Sequence, residues 1–113
     1  MSSFEALAVA ALRRWCSERS ALRSGLTVNL QASGYTPRQQ RAHDSRLVRV
    51  LSFEQVFSTL ADRQQSALLL AYRDNLSLTA LASCLRCSVP EAQARVSGAR
   101  LSLADALDRR ALL

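Results

Sequence analysis

The sequence predicts an all-α protein: a small helical domain with an amphipathic amino-terminal helix, ending in two helices joined by a tight turn. Three observations carry this. Apolar residues recur at intervals of three and four along most of the 113 residues, and no run of any length alternates polar with apolar as a half-buried strand would. At five places a small polar residue stands three positions before Glu or Gln: Ser2…Glu5, Thr36…Gln39, Ser52…Gln55, Asp62…Gln65 and Ser88…Glu91. At that spacing two side chains satisfy the free amides of a helix start. Finally, 49% of the residues are hydrophobic, enough for a packed core at this length.

The elements follow in order. A first helix runs from about Ser3 to Arg23, with Phe4, Leu7, Ala8, Ala11, Leu12, Trp15 and Leu22 on one stripe. Ser24-Gly25 stops it, and residues 24–36, with two Gly and several β-formers, read as a loop. Thr36-Pro37 opens an Arg-rich helix toward Val50, Pro being favoured at the first helical position. A new short helix begins at Ser52 and shows Phe53, Val56, Phe57 and Leu60 on one face. The next carries Ala67, Leu68, Leu70, Ala71 and Tyr72, and ends at Asp74-Asn75. Ser77 caps a helix with Leu78, Leu81, Ala82 and Leu85; Arg86-Cys87 turns; Ser88 caps a last helix from Val89 to about Leu107. The chain thereby divides into an amino-terminal half, residues 1–51, and a helix-turn-helix module, residues 52–113.

The charge is +6 and all of the basic side chains are Arg. It is unevenly placed: residues 1–52 hold eight Arg against three acids, residues 53–113 seven Arg against six. A basic chain of this size suits a polyanionic partner, because displacing counterions from phosphates favours association. Other classes fit poorly. No stretch is long and apolar enough to span a bilayer, and the Ala-rich start lacks the basic prelude of a secretion signal, so a cytoplasmic protein with reduced cysteines is expected. Cys84 and Cys87 form a CxxC, but Cys16 and His43 are the only further Cys or His, so no metal or cofactor is expected. The acids are scattered and nothing accompanies His43 as a nucleophile, so no catalytic residues are expected.

Two helices that cross steeply need a small residue at the contact, a tight turn, and apolar anchors from the second helix to the first. Ala82, Arg86-Cys87, and Ala92 with Val96 supply these. Over residues 60–107 the chain resembles region 4 of bacterial sigma factors. The resemblance rests on Leu60, Arg63, Leu68-Leu69-Leu70, Asp74, Ser77-Leu78, Leu81-Ala82, Leu85, Cys87-Ser88, Arg95 and Ala99-Arg100. It departs at Ala80, where that family usually has Glu; at Arg86, where it has Gly; at Ala92, where it has a branched apolar residue; and at Gly98, where it has a basic one. The amino-terminal half, with Arg13-Arg14-Trp15-Cys16 and Gly34-Tyr35-Thr36-Pro37, is more distantly similar to small phage antitermination and late-gene activator proteins.

The resemblance implies a non-enzymatic transcription regulator acting on promoter DNA, RNA polymerase or both. On DNA, Arg86, Arg95, Arg100 and the Ser88 helix start would contact phosphates, while Gln93 and Ser97 approach base edges. Arg38, Arg41, Arg46 and Arg49 would add backbone contacts. A second reading keeps the helix-turn-helix as scaffold and makes Val89, Pro90 and Ala94 a docking patch for a sigma factor, a polymerase subunit or another copy. A third makes the protein a dimeric repressor with the first helix, and Trp15, in the seam. Oligomeric state, target site and sign of regulation stay open.

Overall fold

The structure, a computed structural model, describes the backbone of residues 2–29 and 37–112, and the side chains of these spans save 22–29, 37–40 and 42–44. Every regular element is helical: α1 Ser3–Asn29, α2 Pro37–Phe57, α3 Asp62–Leu68 continuing as a π-helical turn Leu69–Arg73, α4 Leu78–Leu85 and α5 Val89–Arg109. No helix among the described residues is long and apolar enough to cross a membrane.

Local chemistry sets several of the ends. At Ser2 the box forms in full: Ser2 N donates to Glu5 Oε2 at 3.1 Å and Glu5 N donates to Ser2 Oγ at 3.2 Å. At α3 it does not form; Ala61 holds the cap position with no side-chain bond, and Gln65 Nε2 instead donates to Leu60 O at 2.8 Å. The π-helical turn, closed by Asp74 N to Leu69 O at 3.0 Å, stops at Asn75, whose φ of 53° is in the left-handed region that Asn tolerates. The Thr36 cap and most of the expected loop lie outside the described residues.

Two expected breaks are absent. α1 passes through Gly25, since one helical Gly costs only about 1 kcal/mol and does not by itself end a helix. α2 passes through Ser52, so the boundary expected at 51/52 falls inside a continuous helix. The reason is packing: Val50, Phe53, Val56 and Phe57 are all buried at helical spacing, and a restart at Ser52 would break that stripe.

α5 joins two apolar clusters. Its first half places Ala92 and Val96 against Ala67, Leu81 and Ala82, the small-residue contact expected between α4 and α5. Its second half places Ala99, Leu103, Ala104 and Leu107 in a larger cluster with α1 and α2. Trp15 centres that cluster, with ring centroids 5.3 Å from Phe53 and 5.2 Å from Phe57. Trp15 meets Phe57, while Glu18 and Arg19, further along α1, meet Arg49 and Glu54, both earlier on α2, so α1 and α2 are antiparallel. The α1 stripe is rotated from the expected one. Ala8, Val9, Leu12 and Trp15 are buried, and Glu5, on the same flank as the first three, reaches Arg100 on α5, whereas Phe4 and Leu7 are exposed.

Candidate nucleic-acid interface

The corner between α4 and α5 is shaped by two serine caps and one unusual turn residue. Ser77 Oγ accepts from Ala80 N at 3.2 Å and Ser88 Oγ from Glu91 N at 3.3 Å, fixing where each helix begins. Between them Arg86 adopts φ 55° and ψ 48°. Its N–H reaches Ser83 O at 3.3 Å and the Cys87 N–H reaches Ala82 O at 3.0 Å, the paired closure of a Schellman motif. A residue with a Cβ pays about 1–2 kcal/mol for this conformation, which Gly avoids. The Arg86 side chain is exposed beside the start of α5.

Along the first half of α5, Val89, Pro90, Glu91, Gln93, Ala94, Arg95 and Gly98 are exposed, and so form the outward face of the corner. Ser97 and Arg100 are only partly exposed. Arg95 lines a crevice shared with Arg63, which lies in the first turn of α3. Arg63, Arg86 and Arg95 have no ion-pair partner among the described residues. Elsewhere Arg19, Arg49, Arg73, Arg100 and Arg109 are each paired with a carboxylate, whereas Arg14 and Arg46 on α1 and α2 have no ion-pair partner among the described residues. Arg63 was not among the expected contacts, because in sequence a first-turn Arg is indistinguishable from any solvated one. Its place beside Arg95 arises only when α3 packs on α5.

Arg100 has a different environment from the one expected of a phosphate contact. Its Nη1 donates to Tyr72 Oη at 3.1 Å, its Nη2 to Ser97 Oγ at 3.2 Å, and its Nε lies 3.8 Å from Glu5 Oε1. With 19% of the side chain exposed, it ties α5 to α1 and to the helix carrying Tyr72. Ser97 is occupied by the same contact and so is turned from the outward face. On the other side of the pair, the Ser2 backbone N–H donates to Glu5 and holds its carboxyl below the usual value, with Arg100 adding to the effect.

The Arg-rich segment sits on α2, remote from the corner. α2 meets the carboxy-terminal end of α5, where Val56 and Thr59 lie beside Ala106, Arg109 and Arg110. Val89 is a full helix away, about 30 Å for 21 residues. Arg49 donates to Glu18 at 3.0 Å; Arg41 and Arg46 are exposed; the Arg38 side chain lies outside the described residues. The structure therefore does not bring the 38–49 group and the α5 start onto one local surface.

The cysteines divide by environment. Cys84 is exposed, Cys87 packs on the second cluster, and burial pushes the Cys16 thiol up. Among the described residues no three His, Cys, Asp or Glu side chains converge as metal ligands would. The class that fold and surface define is an all-helical protein whose outward corner carries three arginines without an ion pair among the described residues, with Glu91 the acid in the first turn of α5. No family model matches the chain, and no curated protein or solved structure matches it.

Proposed function

We propose that the chain is a small transcription regulator that sits on duplex DNA through the α4–turn–α5 corner, used as a helix-turn-helix. The observation that carries this reading is the set of exposed guanidiniums around the first half of α5. Among the described residues Arg63, Arg86 and Arg95 have no ion-pair partner, and they cluster at one corner, while Arg19, Arg49, Arg73, Arg100 and Arg109 are each held by a carboxylate. Unpaired guanidiniums flanking an exposed helix suit phosphates on either side of a groove. Gln93, exposed between them, has the amide that pairs with adenine. Val89, Pro90 and Ala94 offer only apolar contact, so affinity rests mostly on phosphates and sequence discrimination is shallow.

A second reading has its own observation. Leu78 on α4 and Val89 on α5 are 41% and 40% exposed, which suits a protein-docking use of the same corner, on RNA polymerase or a sigma factor.

A salt titration of binding to a random duplex separates the two. Each neutralised phosphate adds about 0.9 to the slope of log affinity against log salt, so replacing Arg63, Arg86 and Arg95 by Ala should flatten it by about 2–3. Arg100 is left in place because its removal would disturb the fold. If the unmodified chain fails to bind duplex at low salt, the DNA reading falls. Binding of purified RNA polymerase that is lost in Val89→Glu would then establish the second.

A further inference from the structure

A groove of about 250 Å³ opens on the side of the molecule where α1, α2 and the end of α5 meet, away from the α4–α5 corner. Its floor is apolar, made by Ala11, Trp15, Phe53 and Leu107. Its rim carries large apolar side chains that nothing among the described residues covers: Val48 is 63% exposed and Leu112 43%. Leu51, one turn from Val48 on the same helix, is 49% exposed and Leu47 is 40% exposed, so an apolar stripe of α2 continues outward from the groove's Val48 edge. Leaving such a stripe in water forgoes burial that most monomeric surfaces do not forgo at one place.

The charge around the stripe selects what covers it. Arg14 and Arg49 line the groove, and Arg46 is exposed one turn from Arg49. Arg14 and Arg46 have no ion-pair partner among the described residues. The one acid lining the groove among the described residues, Glu18, is already held by Arg49 at 3.0 Å. A second copy would bring the same unpaired arginines face to face, which costs rather than contributes. A flat anionic membrane would satisfy the arginines but leave a concave floor unfilled. We infer that this groove docks an acidic amphipathic helix of a protein partner, whose apolar side chains enter over Trp15 and Phe53 while its carboxylates meet Arg14 and Arg46. This surface is separate from the corner proposed for DNA, so both can be occupied together.

The test uses the full chain and a display library of 16-residue helices. The library fixes an apolar stripe at i, i+3, i+4 and i+7 and lets the polar positions vary among Asp, Glu, Lys, Arg, Ser and Gln. Selected peptides should be acidic, bind saturably, and shift the emission of Trp15, the sole tryptophan. Val48→Asp and Arg14→Glu should each weaken them at least tenfold, while Arg86→Ala should not. Val48 is exposed enough for its variant to keep the fold, which an unchanged thermal midpoint confirms. The inference is overturned if the library yields no binder sensitive to Val48→Asp, or if selected binders are basic. It is equally overturned if the chain dimerises, or binds anionic phosphatidylglycerol vesicles, through Val48 at the same concentrations.

Discussion

Replacing Arg86 with Gly and, separately, with Ala distinguishes what this residue does to the backbone from what its charge does outside. With φ at 55°, Arg86 carries a penalty of about 1–2 kcal/mol for placing a Cβ in the left-handed region. Gly removes that penalty but adds about 0.5–1 kcal/mol of conformational entropy lost on folding. The net expectation is a gain of about 0.5–1 kcal/mol for Arg86→Gly and close to none for Arg86→Ala, which keeps the Cβ. At this chain length the gain corresponds to a rise of about 2–5 °C in thermal midpoint, read by circular dichroism and checked by urea unfolding. In duplex binding the two variants should be alike, each lowering the salt slope by about 0.9 through loss of one phosphate contact. A Gly variant no more stable than the Ala variant would refute the left-handed turn. A Gly variant with an undiminished salt slope would refute the assignment of Arg86 to phosphate.

Two further outcomes follow from the Arg100 cluster. Arg100→Ala strips the Tyr72 hydroxyl, Ser97 and Glu5 of their shared partner, and should cost about 1–3 kcal/mol in urea unfolding while leaving the salt slope of DNA binding unchanged. A slope reduced at constant stability would return Arg100 to the phosphate contacts. Glu5 has a folded-state value depressed below 4.5, chiefly by the Ser2 amide, so its contribution is complete above its unfolded value and lost as pH falls through the folded one. The gap in thermal midpoint between the unmodified chain and Glu5→Gln should therefore close on acidification below about pH 4.5. A gap that stays constant down to pH 3 would show that the carboxylate charge has no part in it.

The corner and the α2 groove divide the exposed arginines between two different kinds of surface. At the corner, Arg63, Arg86 and Arg95 stand near a helix face where Gln93, Ala94 and Gly98 leave room for a sugar-phosphate backbone beside Val89 and Pro90. At the groove, Arg14 lies with Val48, Trp15 and Phe53, and Arg46 stands one turn from Arg49 at its edge, where a phosphate would meet hydrocarbon. The net charge, read alone, assigns all of them to nucleic acid.

What the sequence determined by itself is what depends on near neighbours. The all-helical class, the starts at Ser2, Ser77 and Ser88, and the small contact at Ala82 were legible because capping and helical periodicity act within four residues. Even the oddity of Arg86 was visible as a side chain where Gly is usual, and the turn adopts the conformation that Gly favours. Where local signals competed, tertiary packing decided. Gly25 and Ser52 read as breaks, but at Ser52 the burial of Val50, Phe53, Val56 and Phe57, two of them against Trp15, outweighs a capping pattern worth about 1 kcal/mol. The roles of the arginines were least legible. Whether a guanidinium is free or paired depends on which helix lies opposite it, and Arg100 meets a carboxylate at Glu5, almost the whole chain away. The groove, too, exists only in three dimensions, because its walls come from α1, α2 and the end of α5, and periodicity within one helix carries no record of which others it will face.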